Sequence, residues 1–261
     1  MKLAIDVDMN YALEGGDPAL LAITAAQTKG QTVLSSVLEI ENATLHWIDG
    51  EGNVGQRVWA HADGGQLNLR YRAQVDVSRA NVDLSSLAAT PLCALSGEVL
   101  TYLKPSRLCP SDLLHTFADE QFGHLGGGEK IAAILDWTAA SLAYVPGSSY
   151  ASTTAFDTFI TREGVCRDYA HLVCGLARAG NIPARYATGY GANVDPPDFH
   201  AVAEVWLDSA WHLVDATGMS MAGDLAIIGS GRDAGDIPFM QTEKWVTLIH
   251  QRICVSAEHP T

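Results

Sequence analysis

The amino-acid sequence predicts an α+β protein. We expect an N-terminal antiparallel β-sandwich or barrel-like domain, residues 1–105, followed by a domain of helices packed on an antiparallel sheet, residues 106–261. The first hundred residues contain several short segments in which apolar and polar side chains alternate, which is the period of half-buried strands. Apolar residues then recur at helical spacing up to residue 179, and strand patterns return from residue 184. The helices of the second domain therefore precede its sheet.

Four strands are expected in the first domain, with clusters of Gly, Asp and Asn between several of them. The clearest is QLNLRYRAQVDV, residues 66–77, and shorter candidates are TVLSSVLEI, TLHWIDGEGN and QRVWAHADGG. The segment DVDMN, residues 6–10, imitates the start of a calcium loop. Tyr11 replaces the glycine that such a loop requires, so we interpret the segment as a strand.

Pro105 and Pro110 mark the change to helical patterns. Ser111 is expected to cap a helix over DLLHTFADEQFG, and EKIAAILDWTAASLAYVPG has apolar residues at helical spacing. The stretch TREGVCRDYAHLVCGLARAG begins as a loop and becomes an amphipathic helix that ends at Gly180. The strands expected after it are ARYATGYG, HAVAEVWLD and WHLVDAT.

The composition argues against several classes of partner. Lys and Arg total 16 against 30 Asp and Glu, and this formal net charge of −14 argues against nucleic acid or an anionic membrane. The five cysteines are scattered without a CxxC pair, which is typical of reduced thiols rather than of disulfides or structural zinc.

We expect no cofactor and no metal. With neither a signal peptide nor a membrane-spanning apolar run, the sequence predicts a cytoplasmic protein.

Cys166 is the first candidate functional residue because it falls in the first turn of the third predicted helix. Free backbone N–H groups and the helix dipole favour an anion there, and thiolate is the reactive form of cysteine. Cys174 lies eight residues further along the helix, where free backbone N–H groups and the positive end of the helix dipole are absent. Most cysteines are small core hydrophobes, so position alone does not make Cys166 a nucleophile.

His200 and Asp215 are the candidate base and orienting group. His171 is nearer to Cys166 in sequence, but five residues of helix turn it about 140° away. His200 instead stands where the stiff loop DPPDF meets a strand, a place where scaffolds present functional side chains. Asp215 interrupts the otherwise apolar strand WHLVDAT, and a buried carboxylate there needs a partner such as a histidine on the neighbouring strand.

The spacing of this pair presents a difficulty. A hairpin tip at Ser209 and Ala210 places His200 opposite Met219. The side chain of Asp215 then points to the same face of the sheet as His200, but it is offset from His200 by roughly 13 Å along the strand. A bulge, a strong twist or a backward curl of the chain at His200 is needed to close this gap.

The segments GVCRDYAHL, ARYATGYG, FHAVAEVWL and WHLVDAT, in this order, resemble the motifs of the transglutaminase-like superfamily. YLKPSRLCPSD and the β-rich first hundred residues resemble the N-terminal domain of its bacterial members, so the resemblance covers essentially the whole chain. It implies a papain-like core with Cys166 as nucleophile, His200 as base and Asp215 as orienting residue. The implied chemistry is acyl transfer from a peptide or carboxamide through a thioester, which water or a second amine resolves.

The resemblance implies one oxyanion donor, the backbone N–H of Cys166, and does not name the second. Arg167 stands where animal-type transglutaminases carry a tryptophan, and we find no counterpart of their calcium dependence or of the CxxC zinc pairs of peptide N-glycanase relatives. We therefore expect a protease or amidase. Arg167 and Tyr169 are candidate substrate-binding residues, and Asp168 is interpreted as complementing the helix dipole.

Three alternatives stay open at this point. The chain could be a non-catalytic peptide-binding module on the same fold, or a true protein-crosslinking transglutaminase. The third alternative makes Cys166, His200 and Asp215 the ligands of a metal ion, although the short paired spacing of many such sites is missing. The sequence predicts a peptide or protein substrate without identifying it, and it predicts no oligomeric state.

Overall fold

Two four-stranded antiparallel sheets form the first part of the protein. The computed structural model describes residues 1–13 and 17–258. The strands of these two sheets are β1 (Lys2–Leu13), β2 (Ala19–Leu21), β3 (Gln31–Ile40), β4 (Ala43–Asp49), β5 (Gln56–Ala62), β6 (Gln66–Val77), β13 (Met240–Gln241) and β14 (Val246–Glu258). The strand orders are β14-β1-β6-β3 in the first sheet and β13-β2-β5-β4 in the second. The four strands predicted from alternation are confirmed, as is the strand interpretation of residues 6–10.

The alternating pattern directs one face of each long strand into the core. Along β1 and β6, every second side chain is buried, and those side chains pack in one hydrophobic cluster with the helices of the second part. Alternation in an antiparallel sheet arises because successive side chains point to opposite faces.

The C-terminal segment returns to these two sheets. β14 pairs with β1 along its whole length, from Lys2 opposite Glu258 to Leu13 opposite Val246. β13 pairs with β2. The division into residues 1–105 and 106–261 did not anticipate this return, because the sequence reading assigned no strand after Asp215. The division itself stays a prediction.

The second part has helices packed on a third antiparallel sheet. Its elements are α1 (Gly97–Leu100), α2 (His115–Phe122), α3 (Gly127–Ser141), β7 (Ala143–Tyr144), α4 (Ala155–Thr161), β8 (Glu163–Gly164), α5 (Cys166–Ala179), β9 (Ala184–Gly191), β10 (His200–Leu207), β11 (Ala210–Val214) and β12 (Leu225–Gly231). The strand order of this sheet is β11-β10-β9-β12. The α+β class and the order of helices before sheet are confirmed. Among the described residues, no helix is long and apolar enough to cross a bilayer.

One local prediction is wrong. Ser111 does not cap α2, because residues 111–114 form a 3₁₀ turn and the α-helix begins only at His115. The backbone N–H of Ser111 donates to the carbonyl of Cys109 at 2.8 Å, which closes a tight turn at Pro110. The α-helix begins only after this turn and the 3₁₀ turn that follows it.

A buried glutamine joins the first sheet to the third. The Nε2 group of Gln31 donates to the carbonyls of Ala26 (2.6 Å) and Ile227 (2.8 Å). Its Oε1 accepts from the backbone N–H of Ile227 at 2.8 Å and from the Arg79 guanidinium. Because Ile227 lies in β12, this side chain connects the start of β3 to the edge of the sheet that carries the candidate site.

Candidate active site

Cys166 is the first residue of α5, as the sequence predicted, and its side chain is partly exposed. The helix entry is held by Asp168, whose Oδ2 accepts a hydrogen bond from the backbone N–H of Val165 at 2.9 Å. Asp168 is fully buried against Gly164, where an added Cβ would lie 2.7 Å from its own Cβ. Asp168 therefore does more than complement the dipole: it caps the turn that presents the thiol.

His200 and Asp215 form a buried pair. Nε2 of His200 lies 2.7 Å from Oδ2 of Asp215, and the two side chains are 0% and 2% exposed. The carboxylate accepts four further hydrogen bonds, from the backbone N–H and hydroxyl groups of Thr217 and Ser220. Burial alone raises the pKa of Asp215, but the bonds with His200 and Thr217 outweigh it and lower the pKa below its usual value.

The hairpin register explains how these two residues meet. Both Asp208 and Ser209 have positive φ, 46° and 58°, as a two-residue type I′ turn requires. β10 and β11 pair from Ala203 opposite Val214 to Leu207 opposite Ala210. The predicted tip at Ser209 and Ala210 was therefore one residue too late.

In the observed register the difficulty of spacing disappears. Asp215 lies two positions before the residue that would be directly opposite His200, so the two residues are diagonal neighbours. Diagonal neighbours are about 7 Å apart, a distance that long side chains can span. Asp215 also does not interrupt a strand. β11 ends at Val214, and Asp215 begins a turn in which its carbonyl accepts from the N–H of Gly218 at 3.3 Å.

The other ring nitrogen of His200 is available for the thiol. Nδ1 makes no regular hydrogen bond with any described residue, and Cys166 is one of the two groups whose proximity raises the pKa of this ring. Burial lowers the pKa of His200, but Asp215 and Cys166 together raise it to about 9. The structure thus pairs His200 with Asp215 and brings Cys166 close enough for its charge to act on the ring.

Arg167 and Tyr169 make contacts within the protein. The Arg167 guanidinium donates to the carbonyl of Tyr150 and, at 3.1 Å, to Oδ1 of Asp168. Tyr169 is buried, and its hydroxyl donates to the carbonyl of Leu142 at 2.9 Å. These contacts position the segments around the start of α5, and a role of either residue in substrate binding stays a prediction.

Sequence reasoning missed Tyr144, Thr217 and Ser220. Tyr144 lies beside Cys166, but it belongs to a two-residue strand, which is too short for any periodic signal. Thr217 and Ser220 could have been found, since Asp followed by Thr, Gly and Ser in DATGMS is typical of a turn in which a carboxylate accepts local backbone N–H groups.

His171 and Arg178 are structural residues of α5. Both are buried, and Nε2 of His171 accepts from the backbone N–H of Ala234 at 3.0 Å. Burial lowers the pKa of His171 to about 3, so its ring is neutral. Arg178 donates to the carbonyls of Lys104, Ala184 and Arg232. These bonds hold the loops that flank the helix.

A cavity of about 880 Å³ lies between the first part of the protein and the third sheet. Asp215 lines it, together with the Arg185–Glu204 ion pair (2.6 Å) and Trp211. Neither Cys166 nor His200 lines it, so it is separate from the thiol and cannot be taken as the substrate cleft. Within residues 1–13 and 17–258, no group of three or more His, Cys, Asp or Glu side chains could hold a metal ion.

The fold and the site define an α+β protein with a cysteine at a helix N-terminus beside a histidine–carboxylate pair. The model of the transglutaminase-like superfamily matches residues 116–216. The crystal structure of a proposed cysteine protease from Cytophaga hutchinsonii superposes with a TM-score of 0.94 at 31% identity, covering 100% of this chain and 92% of that one. The chain belongs to the transglutaminase-like superfamily.

Two curated relatives are mycobacterial. An uncharacterized protein of Mycobacterium leprae is 24% identical over 229 residues, 82% of each chain. An uncharacterized protein of Mycobacterium tuberculosis is 33% identical over 110 residues, 36% of this chain and 35% of the relative.

Proposed function

We propose that this protein is a cysteine-dependent acyl-transfer enzyme that hydrolyses peptide or carboxamide bonds. One observation supports the proposal: Nε2 of His200 is held by the carboxylate of Asp215, Nδ1 has no hydrogen-bond partner among the described residues, and the charge of Cys166 acts on the same ring. The similarity to the proposed cysteine protease from Cytophaga hutchinsonii supports it. A peptide or protein substrate and a cytoplasmic location are parts of the same proposal.

The proposed reaction has two halves. The Cys166 thiolate attacks the carbonyl carbon, the C–S bond forms, and the carbonyl electron pair moves onto oxygen. When this intermediate collapses, the C–N bond breaks and the imidazolium of His200 gives its Nδ1 proton to the departing amine. The neutral ring then takes a proton from water, which attacks the thioester and releases the acid and the thiolate.

The raised pKa of His200 suits the first half. A ring whose pKa is about 9 keeps its proton at neutral pH, so the acid needed for the leaving amine is present before the attack. The bond to Asp215 also fixes the orientation of the ring.

Selective alkylation tests the proposal without a known substrate. We expect iodoacetamide to label Cys166 at least tenfold faster than Cys93 and Cys254, although those two thiols are more exposed, because a neighbouring imidazolium stabilises thiolate. Rates are read for each cysteine by peptide mass spectrometry. In His200→Ala, the rate at Cys166 should fall toward that of Cys93. Equal rates at Cys166, Cys93 and Cys254 in the unmodified protein would refute the proposal.

Product analysis separates the remaining alternatives. A panel of peptide amides is incubated with and without an added primary amine, and Cys166→Ala serves as the inactive control. Hydrolysis that persists with added amine supports the protease or amidase, whereas amide exchange favours a cross-linking transglutaminase. Fast labelling of Cys166 without turnover of any panel member would favour a binding module.

A further inference from the structure

Tyr144 is held beside the start of α5 by a short parallel ladder. β7 pairs with β8, with Ala143 opposite Glu163 and Tyr144 opposite Gly164. The N–H of Ala143 donates to the carbonyl of Arg162 at 2.8 Å, and the N–H of Val145 donates to the carbonyl of Gly164 at 2.9 Å. The backbone of Tyr144 is therefore pinned to a segment that ends two residues before the nucleophile.

The ring of Tyr144 is supported on one side and open on another. Its centroid lies 6.0 Å from that of Tyr169, which is itself fixed by the bond to Leu142. Tyr144 is 37% exposed, so a substrate can reach its ring. The pairing with Gly164 and the ring contact with Tyr169 place the Tyr144 side chain along the first turn of α5, where the charge of Cys166 acts on its phenol.

The phenol is an O–H donor under all ordinary conditions. Burial and then the charge of Cys166 raise the pKa of Tyr144 to about 12. Two neighbouring groups are less suitable donors. The Arg167 guanidinium already donates to Tyr150 and Asp168, and Tyr186, although close to Cys166, is buried.

We propose that the Tyr144 hydroxyl is the second oxyanion donor of the acyl-transfer site, acting together with the backbone N–H of Cys166. This inference rests on the proposed function. When the thiolate adds to the carbonyl, the former carbonyl oxygen becomes an anion close to both donors. The phenol O–H and the amide N–H then donate hydrogen bonds to it without transferring a proton. Collapse of the intermediate restores the C=O bond and leaves both donors unchanged.

Tyr144→Phe removes only the hydroxyl, and two probes of Cys166 separate its possible roles. Acylation by p-nitrophenyl acetate passes through an oxyanion, whereas alkylation by iodoacetamide displaces iodide and forms none. We expect the acylation rate to fall tenfold or more, since loss of one oxyanion donor typically lowers the rate about 10²- to 10³-fold. The alkylation rate should stay within about twofold. Tyr150→Phe, which removes a phenol that is 75% exposed, is the matched control and should change neither rate.

The outcomes distinguish this inference from the proposed function. Equal acylation rates in Tyr144→Phe and the unmodified protein would overturn the oxyanion role. A parallel fall of acylation and alkylation would also overturn it, because the hydroxyl would then act on the thiol itself. Failure of the proposed function shows in the unmodified protein, as alkylation of Cys166 no faster than that of Cys93, and the inference falls with it.

Discussion

Replacing Asp215 by asparagine tests the central pair of the site. The change keeps the shape of the side chain and removes the charge that faces His200. Oδ1 of Asp215 accepts from the backbone N–H of Thr217, and Oδ2 accepts from the backbone N–H of Ser220 and from the ring. An amide has only one acceptor oxygen, so one backbone donor must face an NH₂ group, at a cost of about 1–3 kcal/mol in folding free energy.

The effect on His200 can be estimated from its pKa. The rise from 6.5 to about 9 corresponds to about 3 kcal/mol in favour of the imidazolium. Without the carboxylate, burial opposes the charge and we expect the pKa of His200 to fall back to about 6.5. At pH 7.5 a ring with a pKa of about 9 is about 97% protonated, and one with a pKa of about 6.5 is about 9% protonated. The protonated form donates to the leaving amine, so this alone lowers kcat/KM about tenfold.

The assay is a pH profile of amide hydrolysis, with the ring titrated directly by NMR. In the unmodified protein the activity should fall as pH rises through about 9, the pKa at which His200 loses its proton. In Asp215→Asn this alkaline limb should move to about pH 6.5, so that the deficit at pH 7.5 shrinks about tenfold at pH 5.5.

Asp224→Asn is the matched control. Asp224 is also buried and accepts from the N–H of Met221 and from Asn193, in the loop that follows Asp215, so its substitution loosens the same region without altering the pair. An alkaline limb that stays near pH 9 in Asp215→Asn, or one that moves equally in Asp224→Asn, would refute the assignment of the raised pKa to Asp215.

Two further predictions concern stability. Burial lowers the pKa of His171 to about 3 in the folded state, whereas the same ring has a pKa of about 6.5 in the unfolded chain. As the pH drops below about 6.5, the unfolded chain binds a proton at His171 that the folded state does not bind, so the free energy of unfolding falls. Between pH 7 and pH 5, the unfolding free energy measured in urea should fall by about 2 kcal/mol more in the unmodified protein than in His171→Gln, and equal changes in the two proteins would contradict this. Gln31→Leu should lower the unfolding free energy by about 3 kcal/mol, because it leaves the carbonyl of Ala26 and the backbone N–H of Ile227 buried and unpaired. A change below about 1 kcal/mol in the same measurement would show that the bridge between the sheets contributes little.

Local patterns in the sequence were enough for most of the fold. Residues 66–77 alternate in the sequence and form β6 with every second side chain buried, because the period of a strand is a property of its own backbone. The same holds for α5, whose first residue was predicted from Gly164 and the helical pattern that follows it. The strands β12, β13 and β14 were not predicted, since their identity depends on partners far away in the chain, such as β1 for β14.

The candidate triad shows the same difference on a smaller scale. The position of Cys166 at a helix N-terminus and the presence of a carboxylate one strand beyond His200 were both readable from the chain. The approach of the carboxylate to the ring was not, because it depends on whether the hairpin turns at residues 208–209 or one residue later. A shift of one residue in the turn changes every opposite pair by two positions.

The sequence by itself determined the residue types of the site, the elements that carry them and the family to which the chain belongs. The tertiary structure alone decided which oxygen of Asp215 meets which nitrogen of His200, and it placed Tyr144 beside Cys166 through a ladder of two residues. The physical reason is the distance along the chain over which each kind of interaction acts. Periodicity and capping depend on neighbours within a few residues, whereas hydrogen bonds between side chains depend on the register and packing of segments that the chain order does not bring together.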